Sequence, residues 1–178
     1  MIKKYLFSFI FLTCVIFAQD TAKWITPEIS GYGKITYDPN LALIPKTDKD
    51  YKVIFKITNA NEKEGVNSQL WHIARLVNLL SISGVKKKNI HIVAVISGDA
   101  TPVVLNDIAY KKIYKKSNPN IHLINSLKDA GVELYVCSQA ASERHFDFHQ
   151  DINEKITVSL SALTTLIYFQ QLEYILIQ

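Results

Sequence analysis

The sequence predicts a three-layer α/β/α sandwich around a mainly parallel sheet of about five strands. Three observations predict it. Apolar runs of strand length at 51–57, 90–96 and 132–137 alternate with stretches of helical period. The run 90–96 is apolar at every position but His91, which suits a strand covered on both faces. The segments between the runs are long enough to hold the crossover helices that parallel pairing requires.

In the first strand, Tyr51, Val53, Phe55 and Ile57 alternate with Lys52, Ile54, Lys56 and Thr58, so one face is better buried than the other. Residues 67–83 follow as a helix that stops at Gly84, a residue suited to a C-terminal cap. Leu70, Ile73, Ala74, Leu76, Val77 and Leu80 form one broad helical stripe. Trp71 and Leu79 fall outside it, among His72, Arg75 and Asn78. An apolar second side implies a second buried contact, either a subunit interface or cover by the N-terminal segment. After the strand at 90–96, Thr101-Pro102 opens a helix, with Thr101 as cap and Pro102 in the first turn. Asn118-Pro119 opens another that runs to Gly131. The strand at 132–137 ends in Cys137, and residues 138–155 are polar and irregular, with room for a short helix. A short strand at 156–158, a helix at 161–171 and a last strand at 174–177 complete the domain.

Residues 1–50 lie outside this pattern. Lys3 and Lys4 precede an uncharged apolar run from Tyr5 to Phe17, and Ala18 offers a small residue for cleavage, so 1–18 reads as a signal peptide. The run is too short and too close to the terminus for a spanning helix. A rival reading makes Cys14 a lipid-modified cysteine, but Phe11-Leu12-Thr13 before it lacks the small residue such a site wants. The expected location is periplasmic or secreted, with no stable membrane insertion after signal removal. Residues 19–50 carry Pro27, Gly31, Gly33, Pro39 and Pro45 without periodicity. They read as an extended arm wrapping the domain at 51–178, with Trp24, Ile29 and Tyr32 as anchors.

Of 178 residues, 48% are hydrophobic and 20% charged, enough to bury a full core and unlike a disordered chain. The formal charge of +4 falls to about +2 when Lys3 and Lys4 leave with the signal. The dense basic clusters are Lys86-Lys87-Lys88 and the lysines between 111 and 116, which gives no basis for nucleic-acid binding. Signal removal also takes Cys14 and leaves Cys137 as the single thiol, so no internal disulfide can form. An unpaired cysteine is uncommon in an exported protein.

Parallel sheets bind ligands outside the carboxyl ends of their strands. Three segments reach that rim: 59–67, Ser97-Gly98-Asp99-Ala100-Thr101, and Cys137-Ser138-Gln139. Topology alone places Cys137, the single remaining thiol, at that rim, where a thiolate needs access and a lowered pKa to react. Amides of the turn after it, with Arg144 and His145, can supply positive potential. Asn67, Ser97, Gly98, Asp99, Thr101, Ser138, Gln139 and Arg144 are candidate pocket residues for a small anion or thiol. Against this, Asp99 and Thr101 most simply cap a helix, and a free cysteine is usually a small buried hydrophobe. His145, Asp147 and His149 have ligand chemistry, but their segment lacks a helical pattern, so no metal site is assigned. No Gly-Lys-Ser/Thr follows Gly98 and no Gly-x-Gly-x-x-Gly occurs, so no cofactor is expected.

The segment Gly131-Val132-Glu133-Leu134-Tyr135-Val136-Cys137-Ser138-Gln139 resembles the cysteine segment of the DsrE/DsrF-like family, where a strand ends in Cys before a small residue and Asn or Gln. Residues 73–80 resemble the family's first helix, 97–101 its second-strand loop, and 159–164 with 170–174 its C-terminal signature. Ser97 stands where many relatives have His, and Ser138 where many have Gly. The resemblance covers 51–178 and implies a three-layer α/β fold, an oligomer, and a sulfur-relay role. In that role Cys137 is a persulfide carrier between a donor or acceptor protein or small thiol. The alternative is a non-catalytic binding or assembly module of the same fold with a structural cysteine. A homo-oligomer, a trimer by analogy, is expected from the surplus apolar surface of the first helix.

Overall fold

The computed structural model describes residues 23–178; the expected signal peptide and Cys14 lie outside the described residues. In chain order the domain runs β1 (Tyr51–Ile57), a hairpin of β2 (Glu62–Lys63) and β3 (Val66–Asn67), α1 (Ser68–Ile82) and β4 (Ile90–Ile96). A 3-10 segment (Gly98–Val104), α2 (Asp107–Tyr114), α3 (Ile121–Asp129) and β5 (Glu133–Cys137) follow. The chain closes with α4 (Ser138–Glu143), β6 (Thr157–Ser159), α5 (Ala162–Gln171) and β7 (Ile175–Ile177). The five long-range strands form one sheet in the order β6-β5-β4-β1-β7, every pair parallel. This is the α/β architecture that the alternating pattern predicts.

Strand geometry turns successive side chains to opposite faces. Val53, Phe55 and Ile57 of β1, Ile92, Ala94 and Ile96 of β4, and Leu134 and Val136 of β5 join the core beneath α1 and α3. Ile54, Val93, Val95 and Cys137 point the other way, where Ala162, Leu166 and Phe169 of α5 cover them. The central strands therefore lack a solvated face, which is why their sequences read as nearly continuous apolar runs.

Two local expectations are corrected. Thr101 does not cap a helix: its hydroxyl donates to the Gly98 carbonyl at 2.7 Å inside the 3-10 segment. The helix starts later, at α2, where the Asn106 side chain accepts from Ala109 N at 2.9 Å. Asn118-Pro119 does not open α3 directly either. The Asn118 amide is spent on the Val103 and Leu105 carbonyls, at 2.9 and 2.7 Å, and α3 begins at Ile121. The β2–β3 hairpin carries no apolar alternation and was not expected. Its turn places Glu64 and Gly65 at φ of 52° and 81°, as a two-residue type I′ turn demands.

The arm packs against the second side of α1. Ile25 and Ile35 pair in an antiparallel bridge that closes the arm into a loop. Asn78, fully buried on α1, accepts from the Glu28 and Ile29 amides at 2.9 and 2.7 Å and donates to the Tyr32 and Gly33 carbonyls at 2.9 and 3.1 Å. Gly33 lies so close to α1 that a Cβ there would sit 2.2 Å from Arg75 N. Ile29 is buried and Tyr32 packs on the core, whereas Trp24, expected as an anchor, is 58% exposed. The α1 surplus thus no longer argues for an oligomer.

Replacing Asn78 by Ala leaves these arm groups without their partner. The expected loss is about 3 kcal/mol, read as a lower urea midpoint, with faster proteolysis near residue 30. Gly33→Ala is expected to release the arm to protease while leaving the sheet's circular dichroism unchanged.

Candidate functional site

Cys137 ends β5 and its amide plane leads directly into α4, so the sulfur stands at the carboxyl rim of the sheet. It is paired in register with Ser159 of β6. Strand parity sends its side chain to the α5 face, where it packs with Val95, Ala140, Ala162 and Leu166 at 6% exposure. The turn between β6 and α5 is pinned beside it. Ser138 Oγ donates to the Leu160 carbonyl at 2.8 Å, Gln139 Nε2 donates to the same carbonyl at 3.2 Å, and Ser159 Oγ donates to the Val136 carbonyl at 3.2 Å. Cys137, Ser138 and Gln139 therefore form one group with the Leu160 backbone, a partner that sequence order alone does not reveal.

The remaining predicted residues gather elsewhere along the rim. Arg144 Nη2 meets Asp99 Oδ1 at 3.3 Å, and its Nη1 donates to the Ala140 carbonyl, tying the end of α4 to the 3-10 segment. Ser97 N donates to the Ile57 carbonyl at 2.9 Å. Gly98 takes φ of 55°, and a Cβ there would approach the Thr58 carbonyl to 3.0 Å, so this loop needs glycine for both conformation and space. Thr101 is fully buried and Asn67 nearly so. The Asn67 side chain caps α1 by accepting from Gln69 N and Leu70 N at 3.0 and 3.2 Å, and it donates to the Asn59 carbonyl. These two are parts of the scaffold that shapes the rim.

Asn67 and Asp99 do share a cavity of about 170 Å³, with Glu62, Tyr110, Tyr114 and Asn120 among its other walls. Cys137 does not line it. Tyr110, Tyr114 and Asn120 were not singled out from the sequence. The only signal for them is the pair of tyrosines one helical turn apart, which stack at 4.5 Å. His145 and His149 are exposed, and among the described residues no three His, Cys, Asp or Glu side chains stand close enough together to hold a metal.

Residues 51–178 match the DsrE/DsrF-like family. The chain belongs to that family. Two solved structures are similar to this DsrE/DsrF-like chain in fold. One is MTH1491, a protein of unknown function from Methanobacterium thermoautotrophicum, at 19% identity and a TM-score of 0.50, covering 72% of this chain and 98% of that one. The other is the YchN protein from E. coli, at 15% identity and a TM-score of 0.48, covering 70% of this chain and 96% of that one. No curated protein is significantly similar to the chain. Among the described residues no helix is long and apolar enough to cross a membrane.

One titration probes the wall next to the cysteine. Burial, then the hydrogen bond and the charge of Glu133, push the Tyr135 phenol up to about 12; its hydroxyl donates to Glu133 Oε2 at 2.8 Å. A group with a raised folded pKa contributes its full stability below the unfolded value, and that contribution fades as pH climbs toward the folded one. Stability is therefore expected to fall between about pH 10 and 12, and Tyr135→Phe to flatten that fall in urea melts taken across this range.

Proposed function

We propose that the protein is an exported sulfur carrier that holds sulfane sulfur on Cys137. Membership of the DsrE/DsrF-like family over 51–178 supports this, together with the position of the lone described cysteine where β5 turns into α4. The chemistry is a thiol exchange. The Cys137 thiolate attacks the outer sulfur of a donor persulfide, a new S–S bond forms, the donor's S–S bond breaks, and the donor leaves as a thiolate. No net oxidation occurs, and transfer to an acceptor thiolate repeats the step in reverse. Because the sulfur is nearly covered, the step requires local opening between α4 and α5, which the bonds from Ser138 and Gln139 to the Leu160 carbonyl oppose.

Incubation with a persulfide donor followed by intact mass analysis is expected to add one sulfur atom, lost in Cys137→Ala. Ser138→Ala, which loosens the Leu160 turn, is expected to speed alkylation of Cys137 about threefold to tenfold. Unlabelled Cys137 under conditions that load a known carrier would sink this reading.

The packing of Cys137 among Val95, Ala162 and Leu166 favours a second reading, a binding or assembly module whose cysteine only fills space. It predicts alkylation no faster than global unfolding, and a Cys137→Ala variant altered only in stability.

Either reading includes a homo-oligomer. The outer side of α5 and its flanks expose Leu160, Leu163, Ile167, Tyr168 and Leu172, beside the free edge of β7. No charged residue occurs between 156 and 172, so the patch has nothing to repel a second copy. Light scattering is expected to give an oligomer at micromolar concentration and a monomer for Leu163→Glu with Ile167→Glu.

A further inference from the structure

We propose that the cavity between the arm, α1 and the β2–β3 hairpin binds a small organic anion with a flat apolar body, its ring on Trp24 and its acid group drawn by the Lys63 and Arg75 charges. The cavity measures about 470 Å³, and Trp24, Lys34, Lys63, Glu64, Trp71 and Arg75 are among its walls. It lies outside α1, on the opposite side of the sheet from the face that holds Cys137. The proposal is thus independent of the sulfur-carrier reading. Its volume falls in the range of about 300–1,000 Å³ usual for small-molecule sites.

The charges in this cavity do not balance. Trp71 Nε1 donates to Glu64 Oε2 at 3.1 Å, and Lys34 Nζ meets Glu64 Oε1 at 3.1 Å, so the one lining carboxylate is occupied. Those bonds, with the nearby lysine charges, hold the Glu64 carboxyl below its ordinary range, so it stays an anion and Lys34 stays neutralised. Lys63 Nζ lies 3.9 Å from the Trp71 ring centroid and Arg75 Cζ 4.3 Å. Arg75 spends Nε on the Lys34 carbonyl at 3.0 Å. Among the described residues neither Lys63 Nζ nor the Arg75 Nη atoms meet an acid. Two cations therefore pack against the same indole, and neither has a salt-bridge partner among the described residues. His72, whose ring meets Trp71 edge-on at 5.4 Å, registers the same field: burial, then the charges of Lys63 and Arg75, push its pKa down. An incoming acid group supplies the missing salt-bridge partner.

The apolar half of the ligand is matched by Trp24. Its ring is mostly exposed, yet its backbone is fixed beside the Ile25–Ile35 bridge, and its centroid is 5.9 Å from Arg75 Cζ. A fixed, open indole beside a guanidinium is a stacking platform for a planar ring. The hairpin also carries strain toward this site. Glu64 occupies a left-handed turn position that Asn or Gly would fill at lower cost, and that position is what delivers its carboxylate to Trp71 and Lys34.

Both tryptophans of the chain line the cavity, so intrinsic fluorescence reports on it directly. Calorimetric titration of the purified protein with naphthoate is expected to give saturable one-to-one binding with a change in tryptophan emission. Uncharged naphthamide is expected to bind about tenfold more weakly or worse. Trp24→Ala is expected to lower naphthoate affinity at least about fivefold with the melting temperature unchanged, because Trp24 buries little. Lys63→Gln is expected to lower affinity similarly and to flatten its dependence on salt. Equal affinity for the acid and the amide, binding indifferent to Trp24→Ala, or no saturable binding of naphthoate would each overturn the proposal.

Discussion

A parallel sheet buried on both faces must find apolar cover on each side, and here the two sides are covered unequally. Beneath α1 and α3 the cover is deep, and the arm adds a further layer outside α1. On the other side α5 covers the middle strands with Ala140 of α4, and the outer surface of α5 remains apolar. Cys137 lies under that thinner layer because strand parity places it there. Val136, one residue earlier, joins the deep core, so a one-residue shift in register would have exchanged the two.

Access to the sulfur is consequently a question of local stability. The cysteine is covered by Ala140, Ala162, Leu166 and Phe169, and the turn before α5 is fastened by the Ser138 and Gln139 bonds to the Leu160 carbonyl and by the Ser159 bond to the Val136 carbonyl. Short segments of this kind open locally at a small fraction of the global unfolding free energy. Another part of the rim is built on amides. Asn67, Asn118 and Asn120 form a buried chain, with Asn67 N donating to Asn120 Oδ1 at 2.7 Å and Asn120 N donating to Asn118 Oδ1 at 3.0 Å. These amides satisfy backbone groups where three segments meet, which fixes the small rim cavity as scaffold.

The arm shows how one polar residue reorganises a surface. Asn78 interrupts the apolar side of α1, and a buried amide without partners would be costly. It is satisfied only when the loop at 28–33 lies across it, and Gly33 permits the contact. The same docking brings Trp24 and Lys34 up to Trp71, Arg75 and the β2–β3 turn, and so creates the cavity of about 470 Å³.

How much of this was legible beforehand follows from the range of each interaction. The sheet, its parallel sense, α1, β4 and the strand ending in Cys137 were readable, because burial on two faces writes apolar runs and local caps into consecutive residues. Thr101 and Asn118 misled, since short polar side chains serve equally as helix caps or as clamps on distant carbonyls, and spacing does not distinguish the two. The rim position of Cys137 was also readable from topology. Its nearly complete burial, the bonds to the Leu160 carbonyl, the Asn78 clamp and the Trp24–Trp71 cavity were decided only by tertiary structure. Each joins residues tens of positions apart through single hydrogen bonds or contacts, and such pairings leave no periodic trace in the chain.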